Sequence, residues 1–209
     1  MHILIIGAAG MVGRKLAEAL AAAGHLGGVP VDRLTLADVI AAPAPAGFAG
    51  DVVVSAGDIA QAETTRGWIA SRPDVIFHLA AIVSGEAELD FDKGYAINLD
   101  GTRHLFEAIR AEGLQSPYRP RVVFTSSIAV FGAPFPERID DEFFLTPRTS
   151  YGAQKAMGEL LLADFSRKGI FDGIGIRLPT VCVRPGAPNK AASGFFSNIT
   201  REPLVGREA

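Results

Sequence analysis

The stretch HILIIGAAGMVGRKLAEAL, residues 2–20, decides the fold of this chain. It begins with a short apolar run, continues through three glycines spaced three residues apart, and ends in a run with helical periodicity. Glycines at a strand-to-helix junction permit a tight turn, let the backbone approach a pyrophosphate, and let the helix pack closely on the strand. The spacing differs from G-x-G-x-x-G, but the strand-to-helix context is the one that this chemistry requires. The residues predicted to contact a dinucleotide here are Gly7, Gly10, Met11, Val12 and Gly13.

Five further apolar runs follow along the chain, and segments with helical patterns separate them. Each run is almost entirely apolar, which is typical of strands covered by helices on both faces. The repetition of strand, helix and strand predicts an α/β fold, a doubly wound parallel sheet of the Rossmann type. The predicted strands cover residues 2–6, 33–37, 52–56, 75–80, 121–126 and 173–181, and the predicted helices cover residues 11–23, 60–71, 91–112 and 150–167.

The end of the chain differs in pattern from the rest. Residues 184–209 are punctuated by Gly and Pro, with one short helical pattern at residues 194–201 and no closing strand. We predict a dinucleotide-binding domain over residues 1–182. The start of a small, incomplete substrate-binding region is predicted over residues 183–209, so the sequence is expected to stop inside a domain.

Composition narrows the classes of protein that fit. The chain has 209 residues, of which 48% are apolar and 21% charged, as expected for one globular domain with a substantial core. The net charge is −3 without a basic stripe, which argues against a nucleic-acid partner. No apolar run approaches the roughly 18 residues that a membrane span needs, and no basic leader precedes the first strand, so we expect a cytoplasmic protein. A single cysteine, Cys182, excludes an internal disulfide and is predicted to be a buried thiol, while the four histidines lack metal-ligand spacing, so no metal site is proposed.

The predicted second strand of the sheet ends in an acid, Asp38, 25 residues beyond Gly13. An acid at this place accepts hydrogen bonds from the adenosine ribose hydroxyls and repels a 2′-phosphate. Val39 and Ile40 follow, so no cation is nearby to bind that phosphate, and NAD is favoured over NADP. A solvated loop acid is the alternative for Asp38. The other predicted cofactor contacts, at the ends of the third and fourth predicted strands, are Asp58, Ile59, Leu79, Ala80 and Ala81.

Three side chains are predicted to form a proton-transfer site. Ser127, with Ser126 before it, ends the fifth predicted strand at the edge where parallel sheets bind ligands. Tyr151 and Lys155 are four residues apart and therefore share one face of a helix. Taken alone, this pair also fits an amphipathic helix with a solvated lysine. A phenol titrates near pH 10, so work as a base at neutral pH needs a depression of about 3 units, which an adjacent ammonium favours.

The motifs GAAGMVG, HLAA, NLDGTRHL, TSSIAVFG and SYGAQK, in this order, resemble the extended short-chain dehydrogenase/reductase superfamily, also called the NAD-dependent epimerase/dehydratases. Members carry a G-x-x-G-x-x-G loop, a serine and a Y-x-x-x-K pair, and the resemblance runs from residue 1 to about residue 185. It implies that Tyr151 is the catalytic acid/base, with Lys155 and Ser127 as its partners. It also implies that Asn98 lies near the cofactor, to which Tyr151 and Lys155 are expected to contribute as well.

Within that superfamily, residues 80–109 and 177–204 resemble enzymes that oxidise a four-carbon sugar acid with NAD. Nucleotide-sugar epimerases typically carry R-x-F-N and G-P-R after the sixth strand, where this chain reads RLPT and RPG. A small acid needs donors for its carboxylate. Arg184, Asn189 and Lys190 offer such donors, and the alternative is that each of them is a solvated loop residue. The predicted substrate contacts are Ser84, Ser126, Ser127, Tyr151, Arg184, Asn189 and Lys190.

The leading functional prediction is NAD-dependent oxidation of a small-molecule 2-hydroxy sugar acid to its 2-keto acid. A nucleotide-sugar epimerase or dehydratase, which returns the hydride to its substrate, is the alternative. A dinucleotide-binding regulator without turnover is the second alternative, and an intact Ser, Tyr and Lys set argues against it. The sequence leaves the oligomeric state open, with a homodimer as one option.

Overall fold

The computed structural model describes residues 1–183 and 192–208, and eight strands lie within these ranges. Six of them form one parallel sheet, and the other two form a short antiparallel hairpin. The strands are, in chain order, β1 (His2–Ile6), β2 (His25–Leu26), β3 (Val29–Pro30), β4 (Arg33–Asp38), β5 (Asp51–Ala56), β6 (Val75–His78), β7 (Arg121–Ser127) and β8 (Asp172–Leu178). The helices are α1 (Met11–Ala23), α2 (Ala62–Ile69), α3 (Ser84–Leu89), α4 (Phe91–Gly94), α5 (Gly101–Gln115), α6 (Ser150–Arg167) and α7 (Phe195–Leu204).

The large sheet has the strand order β5-β4-β1-β6-β7-β8. After β1 the chain adds β4 and β5 on one side, and it then adds β6, β7 and β8 on the other side. β1 pairs in parallel with β4 on one side and with β6 on the other, and Ile3 lies opposite both Leu34 and Val75. Ligands of open parallel sheets bind at the carboxyl ends of strands where the order reverses, which here is the gap between β1 and β6. The predicted doubly wound fold is confirmed.

Two apolar clusters cover the two faces of the sheet. Because side chains alternate along a strand, Ile3 and Ile5 of β1 pack on α1, whereas Leu4 and Ile6 pack toward α2, α5 and α6. All four of these side chains are completely buried. The apolar run at the start of the sequence therefore has no polar face because neither face of β1 meets water.

The predicted helix over residues 91–112 is broken in the structure. α4 is followed by a π-helical turn, Tyr95–Asp100, before α5 begins at Gly101. The turn brings the amide of Asn98 into the core, where it binds the backbone of Ile82. Apolar periodicity did not reveal the break, because a single π turn is a short interruption between two segments that are both helical.

Two further differences concern the last predicted strand. β8 ends at Leu178 rather than at residue 181, because Pro179 lacks the N–H that would continue the ladder. Cys182 therefore lies beyond the sheet and is exposed, so the predicted buried thiol is wrong. The short helix predicted at residues 194–201 is confirmed as α7. The domain boundary at residue 182 stays a prediction.

Within the described ranges, no helix combines the length and hydropathy needed to cross a bilayer. Over the same residues, no group of three or more His, Cys, Asp or Glu side chains is placed to hold a metal ion.

Candidate active site

The glycine-rich loop crosses the carboxyl end of the sheet between β1 and α1. The backbone N–H groups of Gly7 and Ala8 both donate to the carbonyl of Ala37 in β4, at 2.8 and 3.1 Å. A Cβ atom on Gly13 would lie 2.2 Å from the carbonyl oxygen of Gly7, so only glycine lets α1 approach the loop this closely. The N-terminus of α1, with its unsatisfied N–H groups, is thereby held at the sheet edge where an anion binds favourably.

Asp38 closes this loop from the end of β4. One carboxylate oxygen accepts from the N–H of Ala9 at 2.9 Å, and the other accepts from the N–H of Val39 at 2.7 Å. A carboxylate offers about four lone-pair sites, so both oxygens can accept further hydrogen bonds from a ribose. The predicted alternative of a solvated loop acid does not describe Asp38, because its side chain orders the glycine loop.

Two adjoining cavities follow the carboxyl edge of the sheet. The first, here called the loop cavity, has a volume of about 530 Å³, and the second, the tyrosine cavity, has about 480 Å³. They share the walls formed by Leu79, Ala81 and Ile82. Predicted cofactor contacts that line the loop cavity are Gly7, Gly10, Asp38, Asp58, Ile59, Leu79, Ala80 and Ala81. Predicted residues that line the tyrosine cavity are Val12, Leu79, Ala81, Ser84, Ser126, Ser127, Tyr151 and Lys155.

Two other predicted site residues lie beside the cavities without lining them, and three more are not described by the structure. Met11 and Gly13 belong to the first turn of α1, and neither lines the two cavities. Arg184, Asn189 and Lys190 fall outside the described residues, so their contact with a substrate stays a prediction.

Asn98 does not line either cavity, and its contact with the cofactor stays a prediction. Its side chain is buried, accepts from the N–H of Ile82 at 2.9 Å and donates to the side-chain oxygen of Gln154 in α6 at 2.8 Å. Asn98 therefore supports the wall shared by the two cavities from behind and ties that wall to α6.

The tyrosine cavity brings Ser127, Tyr151 and Lys155 together. Ser127 ends β7, and its Oγ accepts from the N–H of Ala129 at 3.1 Å. Tyr151 and Lys155 lie on α6, whose N-cap, Thr149, accepts from the N–H of Gly152 at 3.0 Å. The sequence predicts this convergence because α6 connects the parallel strands β7 and β8, so its first turns lie at the carboxyl edge of the sheet, where β7 ends.

Lys155 is inside the protein rather than in solvent. Only 2% of the residue is exposed, and its ammonium donates to the carbonyl of Thr125 at 2.8 Å. The Nζ atom lies 5.8 Å from the ring centre of Tyr151 and 4.8 Å from that of Phe124. The alternative prediction, an amphipathic helix in which Lys155 is solvated, is therefore wrong. Burial lowers the pKa of Lys155 to about 8, so its charge is present at neutral pH.

His78 lies at the end of β6 beneath the same cluster. Its Nε2 is 2.9 Å from the hydroxyl of Thr102, and that hydroxyl donates to the carbonyl of Asn98, so the imidazole is the donor in the first contact. Burial, with the nearby charge of Lys155 acting in the same direction, lowers the pKa of His78 to about 3. His78 is thus a neutral structural residue.

Gly152 is a residue of this site that the sequence reasoning missed. A Cβ atom here would lie 2.2 Å from the carbonyl oxygen of Ala129, which belongs to the 3-10 turn that follows Ser127. Glycine therefore lets the start of α6, which carries Tyr151, approach the end of β7. The available signal was a glycine inside a helix, which costs about 1 kcal/mol relative to alanine and so usually has a packing reason.

The fold and this site define a dinucleotide-binding protein with a Ser, Tyr and Lys set. The chain matches the NAD dependent epimerase/dehydratase family over residues 3–208, and it belongs to that family. The resemblance inferred from the five motifs is therefore confirmed, and so is the prediction that NAD is the cofactor.

Particular relatives are similar over the whole chain. It is 49% identical to D-erythronate dehydrogenase of Cupriavidus necator, covering 99% of this chain and 63% of that protein. It is 45% identical to D-erythronate dehydrogenase of Haemophilus influenzae, covering 100% of this chain and 64% of that one. A crystal structure described as the nucleoside-diphosphate-sugar epimerase from Agrobacterium tumefaciens superposes with a TM-score of 0.95 at 68% identity, covering 100% of this chain and 61% of that one. The chain thus spans less than two thirds of the length of each of these relatives.

Proposed function

We propose that the chain is the cofactor-binding and catalytic part of an NAD-dependent dehydrogenase that oxidises D-erythronate, a 2-hydroxy acid, to the 2-keto acid. The observation that carries the proposal is the convergence of Ser127, Tyr151 and the buried Lys155 on one cavity that adjoins the glycine loop. The 45% and 49% identity to two proteins named D-erythronate dehydrogenase supports this substrate.

The residues of the two cavities fit an extended dinucleotide. The loop cavity offers the α1 N-terminus for the pyrophosphate and Asp38 for the adenosine ribose, and the shared wall leads on to Tyr151. The apolar side chains of Ile59 and Trp68 also line the loop cavity, as suits an adenine ring. NAD, when bound, supplies the hydride acceptor for the oxidation.

Tyr151 is the proposed general base. Its phenol oxygen accepts the proton of the substrate hydroxyl, and the ammonium of Lys155 favours the ionised phenol. Ser127 holds the reacting oxygen: its Oγ already accepts from Ala129, so its own hydrogen is the one that donates to the substrate. Ser126 is less suited to this role because its hydroxyl donates to Glu159, and this contact supports the choice of Ser127.

The rest of a small acid is proposed to contact other residues of the site. Ser84, at the start of α3, lines the tyrosine cavity and is the proposed contact for a substrate hydroxyl. The carboxylate is assigned to donors among Arg184, Asn189 and Lys190, since cationic and amide donors bind carboxylates well.

The experiment that tests the function is a measurement of NADH formation by the full-length protein. With D-erythronate and NAD, we expect NADH to accumulate in proportion to the substrate consumed. L-threonate and D-threonate, four-carbon acids of other configuration, are the matched controls for stereochemical choice. Absence of NADH with every C4 sugar acid would contradict the dehydrogenase proposal.

A nucleotide-sugar epimerase is the second candidate function. The observation that favours it is the 68% identity to the Agrobacterium tumefaciens structure described by that name. An epimerase returns the hydride to its substrate, so UDP-glucose would be converted to UDP-galactose without net NADH. Product analysis of the same incubations therefore separates the two candidates.

Asp38 is expected to set the choice between NAD and NADP. The wild-type protein should strongly prefer NAD, and Asp38→Asn should narrow that preference by at least about tenfold, because the variant loses the charge that repels a 2′-phosphate. Asparagine retains one oxygen to accept from the N–H of Ala9 or Val39, whereas Asp38→Ala removes both contacts and should also weaken NAD binding. Calorimetric titration of each variant with NAD and NADP measures both effects. Equal affinity of the wild type for the two cofactors would refute the assignment.

A further inference from the structure

An ion pair with little exposure lies behind the tyrosine cavity, between α6 and β8. The guanidinium of Arg177 donates from Nε and Nη2 to the carboxylate of Glu159 at 2.8 to 3.1 Å. The two side chains are 24% and 13% exposed, respectively. Removing charges from water has a cost, and replacement of such a pair by apolar side chains is often neutral or stabilising. Stability alone therefore does not account for the pair.

The pair is connected to two other parts of the site. The hydroxyl of Ser126 in β7 donates to the carboxylate of Glu159. On the other side, Arg177 donates to the carbonyl of Asp141 at 3.3 Å, and its guanidinium carbon lies 5.0 Å from the ring centre of Phe131. The pair thus joins α6, β7, β8 and the segment that follows β7.

Two residues of this network are close in sequence to residues of the proposed reaction. Glu159 is four residues after Lys155, so the two lie on the same face of α6, one turn apart. Ser126 precedes Ser127, and successive side chains of a strand point to opposite faces. A fixed Ser126 therefore also fixes the direction of Ser127, while the carboxylate holds α6 at a set distance from the end of β7.

We propose that Glu159 and Arg177 are positioning residues: through Ser126 they hold Ser127 at the separation from Tyr151 that proton transfer needs. The proposal rests on the proposed dehydrogenase function. A misplacement of about 1 Å at a reacting centre can reduce turnover by about a hundredfold, so a network outside the cavity can control the rate without touching the substrate.

The test is the double variant Glu159→Met/Arg177→Met in the full-length protein, which removes both charges and leaves neither unpaired. We expect kcat to fall by about 10- to 100-fold, KM for the sugar acid to stay within about threefold, and NAD affinity to stay within about twofold. Adding Ser126→Ala to the double variant should lower kcat little further, because its partner is already gone, whereas Ser126→Ala alone should lower it several-fold.

The matched control is Arg121→Met/Asp172→Met. This ion pair joins the same two strands, β7 and β8, at their other ends, with N–O distances of 2.9 and 3.0 Å. Its removal should leave kcat within about twofold of the wild-type value. A similar loss in both double variants would show that general loosening of the β7–β8 edge is responsible, and would overturn the proposal.

A second readout does not depend on turnover. The NMR signal of the Tyr151 ring in protein labelled with ¹³C at tyrosine can be assigned from its disappearance in Tyr151→Phe. We expect the Tyr151 signal to shift or broaden in the Glu159→Met/Arg177→Met variant and to stay unchanged in the control pair. A wild type that makes no NADH would refute the proposed function, while this signal would still decide the positioning role. An unchanged Tyr151 signal together with an unchanged kcat in an active enzyme would refute the positioning role alone.

Discussion

Tyr151→Phe is expected to reduce turnover by at least about a hundredfold while leaving the affinity for NAD within about twofold. The ring remains to line the tyrosine cavity, so packing changes little, but the oxygen that accepts the substrate proton is gone. General acid/base catalysis contributes about 10²- to 10⁴-fold, and the loss should appear in kcat rather than KM. Steady-state NADH formation and calorimetric NAD titration measure the two quantities.

Tyr118→Phe is the matched control for this change. It also deletes one phenol oxygen, which donates to the carbonyl of Pro73 at 2.8 Å, and both residues precede the amino ends of β6 and β7, whereas the cavities lie at the carboxyl ends. We expect this variant to lose about 1 kcal/mol of stability and to retain its turnover. Near-normal turnover by Tyr151→Phe would remove Tyr151 from the mechanism.

Lys155→Met is expected to abolish most turnover with little change in stability at neutral pH. The lost ammonium is the group that favours ionisation of Tyr151, so we again expect a loss of at least about a hundredfold in kcat. Two stability effects oppose each other. Relief of the buried charge is worth on the order of 3 kcal/mol for a pKa lowered from 10.5 to about 8. The unpaired carbonyl of Thr125 costs about 1 to 3 kcal/mol in return.

The stability of Lys155→Met should depend less on pH than that of the wild type. The pKa of Lys155 is lower in the folded protein than in the unfolded chain, so folding releases a proton between about pH 8 and 10.5. The stability of the wild type therefore rises with pH across this window, and the cost of the buried charge is fully present below it. Methionine does not titrate, so urea denaturation should show a smaller rise for Lys155→Met than for the wild type. Lys168→Met, at an exposed position after α6, should behave like the wild type in both turnover and pH dependence.

The parts of the site that the sequence predicts are those with local causes. The glycine loop lies within one strand-to-helix junction, and Tyr151 and Lys155 lie one helical turn apart, so short-range spacing is sufficient to find them. Ser127 could be added because a parallel sheet collects the carboxyl ends of its strands at one edge. Fold class follows in the same way from apolar runs that lack a polar face.

The parts that the sequence did not predict depend on contacts between distant elements. Asn98 supports Ile82 instead of lining a cavity, because a π turn rotates its amide into the core. Gly152 and Glu159 matter through their approach to the end of β7, and no spacing within α6 reveals that approach. Apolar composition around Cys182 predicted burial, yet the strand ends before it, because the proline that stops the ladder outweighs the apolar pattern.

The position of the loop cavity at the centre of the sheet has a consequence for how the protein folds. The loop cavity lies over the adjacent strands β1 and β6, and Ile3 of one pairs with Val75 of the other, so residues far apart in the sequence must meet before the cavity forms. Such nonlocal contacts slow folding, and the last of them to form completes the loop cavity. A ligand that needs the complete loop cavity binds only the folded protein and shifts the folding equilibrium toward the folded state. At a concentration of 100 times its Kd, such a ligand adds about 2.7 kcal/mol to the stability of the native state.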